Sequence, residues 1–119
     1  MSLPLYFRCV DDGSVLVVEV VRPVGSLAEE AVMQELDGIV AALAQRTTCK
    51  VLIDFKQTAY FGSSLLEGLR LIWTKVEERE GRMVLCNLSP VGKEIVQLAK
   101  FDTLWPICET RAEALTLLK

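Results

Sequence analysis

Histidine is absent from this chain, and that absence excludes more chemistry than any other count. No Ser-His or Cys-His nucleophilic pair can form, there is no imidazole general base, and no histidine can ligate a metal. Cysteine is scarce and scattered: Cys9, Cys49, Cys86 and Cys108 contain no Cys-x-x-Cys pair, so neither zinc nor thioredoxin-like chemistry is indicated. All four fall in or beside segments read as strands, which suits small buried hydrophobes in a reducing compartment. Nothing argues for a metal site assembled from all four. Also missing are a glycine-rich phosphate loop and a paired-acid constellation, so neither catalysis nor a cofactor is expected. Thirteen basic residues against sixteen acidic ones give a net charge of −3 without any basic block, which disfavours nucleic acid and anionic membrane as partners. No apolar run approaches the roughly 18–20 residues that span a bilayer, so no membrane insertion is expected. The segment Met1-Ser2-Leu3-Pro4-Leu5-Tyr6-Phe7-Arg8 lacks the charged start and apolar core of a secretory leader. The expectation is a cytoplasmic protein.

What is present fits one domain over residues 1–119. A chain of 119 residues that is 51% hydrophobic and 24% charged can bury roughly two-thirds of its unfolded surface in a single core. Leu5 to Cys9 reads as a first strand, and Asp11-Asp12-Gly13-Ser14 as a hairpin turn. The run Val15 to Val21 is nearly continuous in apolar, β-branched residues and predicts a strand buried on both faces. Arg22-Pro23-Val24-Gly25 breaks it. Ser26-Leu27-Ala28-Glu29 has the spacing of a capping box, ahead of a helix carrying Val32, Leu36, Ile39, Val40 and Leu43 to about Gln45. A central strand follows from Cys49 to Phe55. After a second helix from Ser64 to about Glu80, Gly81 supplies a stop, and Met83 to Cys86 forms a fourth strand. Ser89-Pro90 opens a short helix through Ile95, Val96 and Leu98. Leu104 to Ile107 is a weak last strand that its proline confines to a sheet edge, and Thr110-Arg111-Ala112-Glu113 caps a last helix to Leu118. The fold class is therefore α/β: a mixed, mostly parallel sheet of about five strands, an N-terminal antiparallel hairpin and four helices.

Ser63-Ser64 carries the functional signal. Ser64-Leu65-Leu66-Glu67 has capping-box spacing, which assigns Ser64 and Glu67 to the helix start and leaves the Ser63 hydroxyl free for chemistry. Leu65 and Phe61 are expected in the core, and Leu66 is expected to be partly exposed. Asp54 is expected to end its strand by hydrogen-bonding the next turn, and Glu77 to Glu80 to form a solvated helix face.

The element order resembles the STAS domain of anti-sigma factor antagonists. So do three segments: Val51-Leu52-Ile53-Asp54-Phe55, Phe61-Gly62-Ser63-Ser64-Leu65-Leu66, and Gly81 through Pro90. In that family an Asp-Ser-Ser-Gly-Leu-Gly turn is phosphorylated on its first serine by an anti-sigma factor that is also a serine kinase. The resemblance implies that Ser63 is the phosphorylation site. It also implies that Gly25, Ser26, Tyr60, Gly62, Ser63, Ser64 and Leu66 face the protein partner. Gly62, Leu65 and Glu67 replace the aspartate and the two glycines of the family turn. A second reading is accordingly a STAS interaction module that is not phosphorylated, such as a scaffold or a subunit of a lipid-transport ATPase. An enzyme acting at the carboxyl ends of the strands is the third.

Overall fold

Gly13, with φ of +62°, turns the chain back between β1 (Phe7–Asp12) and β2 (Val15–Val20), a conformation that costs a glycine little and other residues more. The structure is a computed structural model and describes residues 5–119; Met1 to Pro4, the front of the segment read as no secretory leader, lie outside it. After the hairpin come α1 (Glu30–Ala44), β3 (Lys50–Asp54), α2 (Ser63–Glu78), β4 (Arg82–Cys86), α3 (Pro90–Leu98), β5 (Ile107–Cys108) and α4 (Arg111–Leu118). The five strands lie in the order β1-β2-β3-β4-β5, antiparallel between β1 and β2 and parallel elsewhere. This is the mixed sheet with a leading hairpin that the sequence predicts.

The sheet is covered on both sides, which explains why its strands lack the simple apolar-polar alternation. Leu16, Val18 and Val20 of β2, Val51 and Ile53 of β3, and Met83 and Leu85 of β4 share the larger core with α1, α2 and α3. Their alternates Val15, Val17, Leu52, Val84 and Cys86 pack on Ala114 and Leu118 of α4. Every residue of β2 is buried.

Several boundaries differ from the sequence expectation, each for a physical reason. The first strand starts at Phe7 rather than Leu5 and continues to Asp12. The first helix begins at Glu30, and no capping box forms. The Ser26 hydroxyl accepts from the nearby N–H of Ala28 at 3.0 Å, and the Glu29 carboxylate is taken by the Tyr6 hydroxyl instead of reaching back. Of the last strand expected over Leu104 to Ile107 only Ile107 is in a strand, which spans Ile107–Cys108, and a 3₁₀ turn at Phe101–Thr103 precedes it. Trp105 causes the change: it is buried against Phe101 and Trp73, with ring centroids 4.8 and 6.2 Å away, so the chain must dip into the core before pairing with β4. The edge position holds, with the Pro106 carbonyl accepting from Leu85 N–H at 3.0 Å. Cys49 and Cys86 are the buried hydrophobes expected, whereas Cys9 is exposed and Cys108 half-buried, because edge strands leave one face open.

The caps of the last two helices form as their spacing predicts. Ser89 Oγ accepts from Gly92 N–H at 3.0 Å and Thr110 Oγ1 from Glu113 N–H at 3.1 Å.

Candidate functional site

The segment from β3 to α2 is tied down at each end and in its middle, which fixes where the serine pair sits. Asp54 Oδ1 accepts from Lys56 N–H at 2.9 Å, an Asx-type bond that starts the turn as expected. Thr58, itself buried, donates its hydroxyl to the Val20 carbonyl at 2.8 Å. Ser89 Oγ donates to the Ala59 carbonyl at 2.6 Å, so the cap of α3 also anchors the segment that leads to α2. Phe55 and Phe61 are both buried, with ring centroids 5.0 Å apart. Tyr60, between these anchors, is 66% exposed.

The N-cap of α2 lies two residues earlier than the capping-box spacing predicts. Gly62, extended at φ −112° and ψ −166°, is the N-cap and offers no side chain, so the Ser64–Glu67 capping box does not form. Ser63 and Ser64 are both inside the first turn. There Ser64 cannot swing its hydroxyl onto the N–H of Glu67; it donates instead to the Gly25 carbonyl at 3.4 Å. That contact brings the loop 23–27 against the turn 60–66, the two segments expected to form one surface. Ser63 is exposed, and its hydroxyl makes no hydrogen bond among the described residues. Gly25 is exposed, while Ser26, Gly62 and Ser64 are half-buried.

Leu66 does not belong to the exposed surface. It is 8% accessible and lies in the main core with Leu65 and Phe61, because at helical spacing it flanks the buried stripe of Leu65, Leu69 and Val76. Leu66→Arg is accordingly expected to act on folding. Burying a guanidinium there should cost about 2–4 kcal/mol and show as a clear fall in melting temperature. An unchanged melting temperature would place Leu66 on the surface after all.

A model of the STAS domain matches residues 6–114. The chain belongs to the STAS domain family. Among solved structures, an anti-sigma-factor antagonist STAS domain protein from Planctomyces limnophilus is 30% identical over 96% of this chain and 98% of its own, with a TM-score of 0.80. The unphosphorylated form of the anti-sigma factor antagonist SpoIIAA superposes at a TM-score of 0.74 over 92% of each chain, at 22% identity, and shares the fold. A Bordetella bronchiseptica protein, BtrV, named as a candidate anti-sigma factor antagonist, is 24% identical over 72% of this chain and 74% of its own.

This STAS domain has a second polar constellation that the sequence reading did not assemble. Arg8, Glu19, Asp54, Cys86 and Cys108 are successive partners across all five strands, one lateral row on the face covered by α4. Glu19 is buried and ion-paired twice, to Arg8 at 2.5 Å and to Arg111 at the start of α4 at 2.7 Å. Burial pushes its carboxyl upward, but the hydrogen bonds from Arg111 and Arg8 outweigh that and hold it below the usual range. Asp54 receives Asn87 Nδ2 at 3.0 Å, with Asn87 in the left-handed region at φ 59°. The Cys86 thiol is pushed up to about 12, by burial first and then by the negative Asp54 beside it, so it is no nucleophile. A signal for this row was available: Glu19 is the one charged residue in the apolar run 15–21, and a charge in a strand buried on both faces requires partners.

Proposed function

We propose that the protein is a regulatory anti-sigma factor antagonist, not an enzyme, whose protein partner docks on the turn 60–66 and the loop 23–27. In this reading the partner is an anti-sigma factor with serine-kinase activity, and phosphorylation of Ser63 releases it. The observation that carries it is Ser63 itself, exposed, free of hydrogen bonds among the described residues, and first in a 16-residue helix. Gly25, Ser26, Tyr60, Gly62 and Ser64 supply the surrounding contacts, and Leu66 supports them from beneath. The names of the similar proteins support the same class of function. Among the described residues no helix is long and apolar enough to cross a membrane.

Gly62 favours a second reading, a STAS module that binds constitutively as a scaffold or as a subunit of a lipid-transport ATPase. It stands where the family turn has an aspartate, so no carboxylate next to Ser63 can orient its hydroxyl. One experiment separates the two. Incubation with ATP and an active partner kinase, followed by phosphate mapping by mass spectrometry, is expected to give a single phosphate on Ser63. An unmodified Ser63 under those conditions leaves the constitutive module.

A further inference from the structure

On the α4 side of the sheet, a cleft of about 700 Å³ opens beyond the carboxyl ends of β2, β3 and β4. Its volume is that of a site for a small molecule, and it occupies the part of an open α/β sheet where ligands commonly bind. Glu19, Asp54, Asn87, Thr110 and Arg111 line it, with Lys56 among the lining residues and itself exposed.

The polar groups facing the cleft are not all used by the fold. Arg111 commits Nη1 to Glu19 and lies 3.6 Å from Asp54 Oδ2, while its Nη2 and Nε donate to no atom among the described residues. Lys56 makes no ion pair among the described residues. Asp54 uses Oδ1 for Lys56 N–H and Asn87, and among the described residues its Oδ2 accepts no N–H within hydrogen-bond distance. The lining carries two cations, Lys56 and Arg111, and two carboxylates, Glu19 and Asp54, and the Glu19 charge is also met from behind by Arg8. The cleft therefore offers charged donors for an anion at Arg111 and Lys56. Beside them it offers acceptors for hydroxyl groups, at Asp54 Oδ2 and the Asn87 side-chain carbonyl. Among the described residues no aromatic side chain lines it, so they offer no platform on which a nucleobase could stack.

We propose that this cleft binds a phosphorylated polyhydroxy small molecule, with the phosphate on Arg111 and Lys56 and a hydroxyl on Asp54. A planar guanidinium suits phosphate, and the second cation suits the phosphate's second charge.

Calorimetric titration of the full chain with glycerol 3-phosphate, ribose 5-phosphate and glucose 6-phosphate, each beside its unphosphorylated counterpart, tests this. At least one phosphate ester is expected to bind saturably with one site and to raise the melting temperature, and its neutral counterpart to do neither. Lys56→Gln, at an exposed position, should weaken binding at least about fivefold, and Arg111→Lys at least about tenfold, since a point charge replaces the fork. Absence of binding by all three esters at about 10 mM, a range that reveals even millimolar affinity, would overturn the proposal. So would affinity unchanged in Lys56→Gln, a variant that leaves the ion pairs of Glu19 intact. Adenosine 5′-monophosphate is expected to bind no better than ribose 5-phosphate; tenfold tighter binding would overturn the polyhydroxy class in favour of a nucleotide.

Discussion

Gly81→Ala is expected to lower stability by about 3–5 kcal/mol, a loss in the range reserved for backbone strain and core disruption. A Cβ added at Gly81 would stand 2.1 Å from the Cys49 carbonyl oxygen and 2.8 Å from Cys49 Cβ. Neither obstacle can swing aside as a side-chain tip would. The same carbonyl accepts from Arg82 N–H at 2.9 Å where β3 and β4 begin to pair, so relieving the clash means opening that end of the ladder. Gly38 provides the control. It lies in the middle of α1, exposed, with nothing within 4 Å of an added Cβ, so Gly38→Ala should stabilise by roughly 0.5–1 kcal/mol through helix propensity alone. Thermal unfolding of the two variants should move in opposite directions, Gly81→Ala downward by roughly 10–20 °C. A loss below about 1 kcal/mol for Gly81→Ala would mean that the turn between α2 and β4 is not held against β3 in this way.

Gly81 also shows where the sequence is legible and where it stops. Its place after a periodic helix reads correctly as a stop. The reason for glycine does not, because the left-handed residue that ends the helix is Glu80, at φ 53°, and Gly81 is required by a neighbour 32 positions away in the chain. Helices and strands were legible because their periodicity is local, as with Val32, Leu36, Ile39 and Leu43, which are all buried on one face of α1. Caps were legible only where nothing competed for the side chain: Ser89 and Thr110 cap, whereas Glu29 is taken by Tyr6 and Ser64 by Gly25. The candidate surface divides in the same way. Ser63 and its segment could be read from the turn, but Leu66 depended on how wide the buried stripe of α2 is, which its tertiary packing decides. The row from Arg8 to Cys108 depended on strand register, which joins residues 100 positions apart.

Ser63→Glu is expected to weaken partner binding at least about 30-fold while leaving the domain as stable as before or slightly more so, and Ser63→Ala to leave binding within about twofold. The two halves of this expectation have one electrostatic origin. The first turn of α2 contains no acidic residue and its N-cap supplies no side-chain acceptor, so the helix itself provides no anion for its first N–H groups and the positive end of its dipole. A carboxylate at the first helical position should therefore add about 0.3–1 kcal/mol of stability, and a phosphate, with −1.5 to −2 charges, can be held by the same groups. Glu67 is on the next turn and exposed, where solvent screens its repulsion. A partner closing over Tyr60, Ser63 and Gly25 would exclude that solvent, and a charge left unpaired in the interface costs about 2 kcal/mol or more, which is the 30-fold loss. Binding measured by calorimetry and unfolding measured by heat should thus separate: affinity falls while melting temperature does not. Equal affinity of Ser63→Glu and Ser63→Ala for the partner would show that charge at this position is not the switch. A fall in both affinity and melting temperature would show instead that the helix start, and not the interface, responds to the charge.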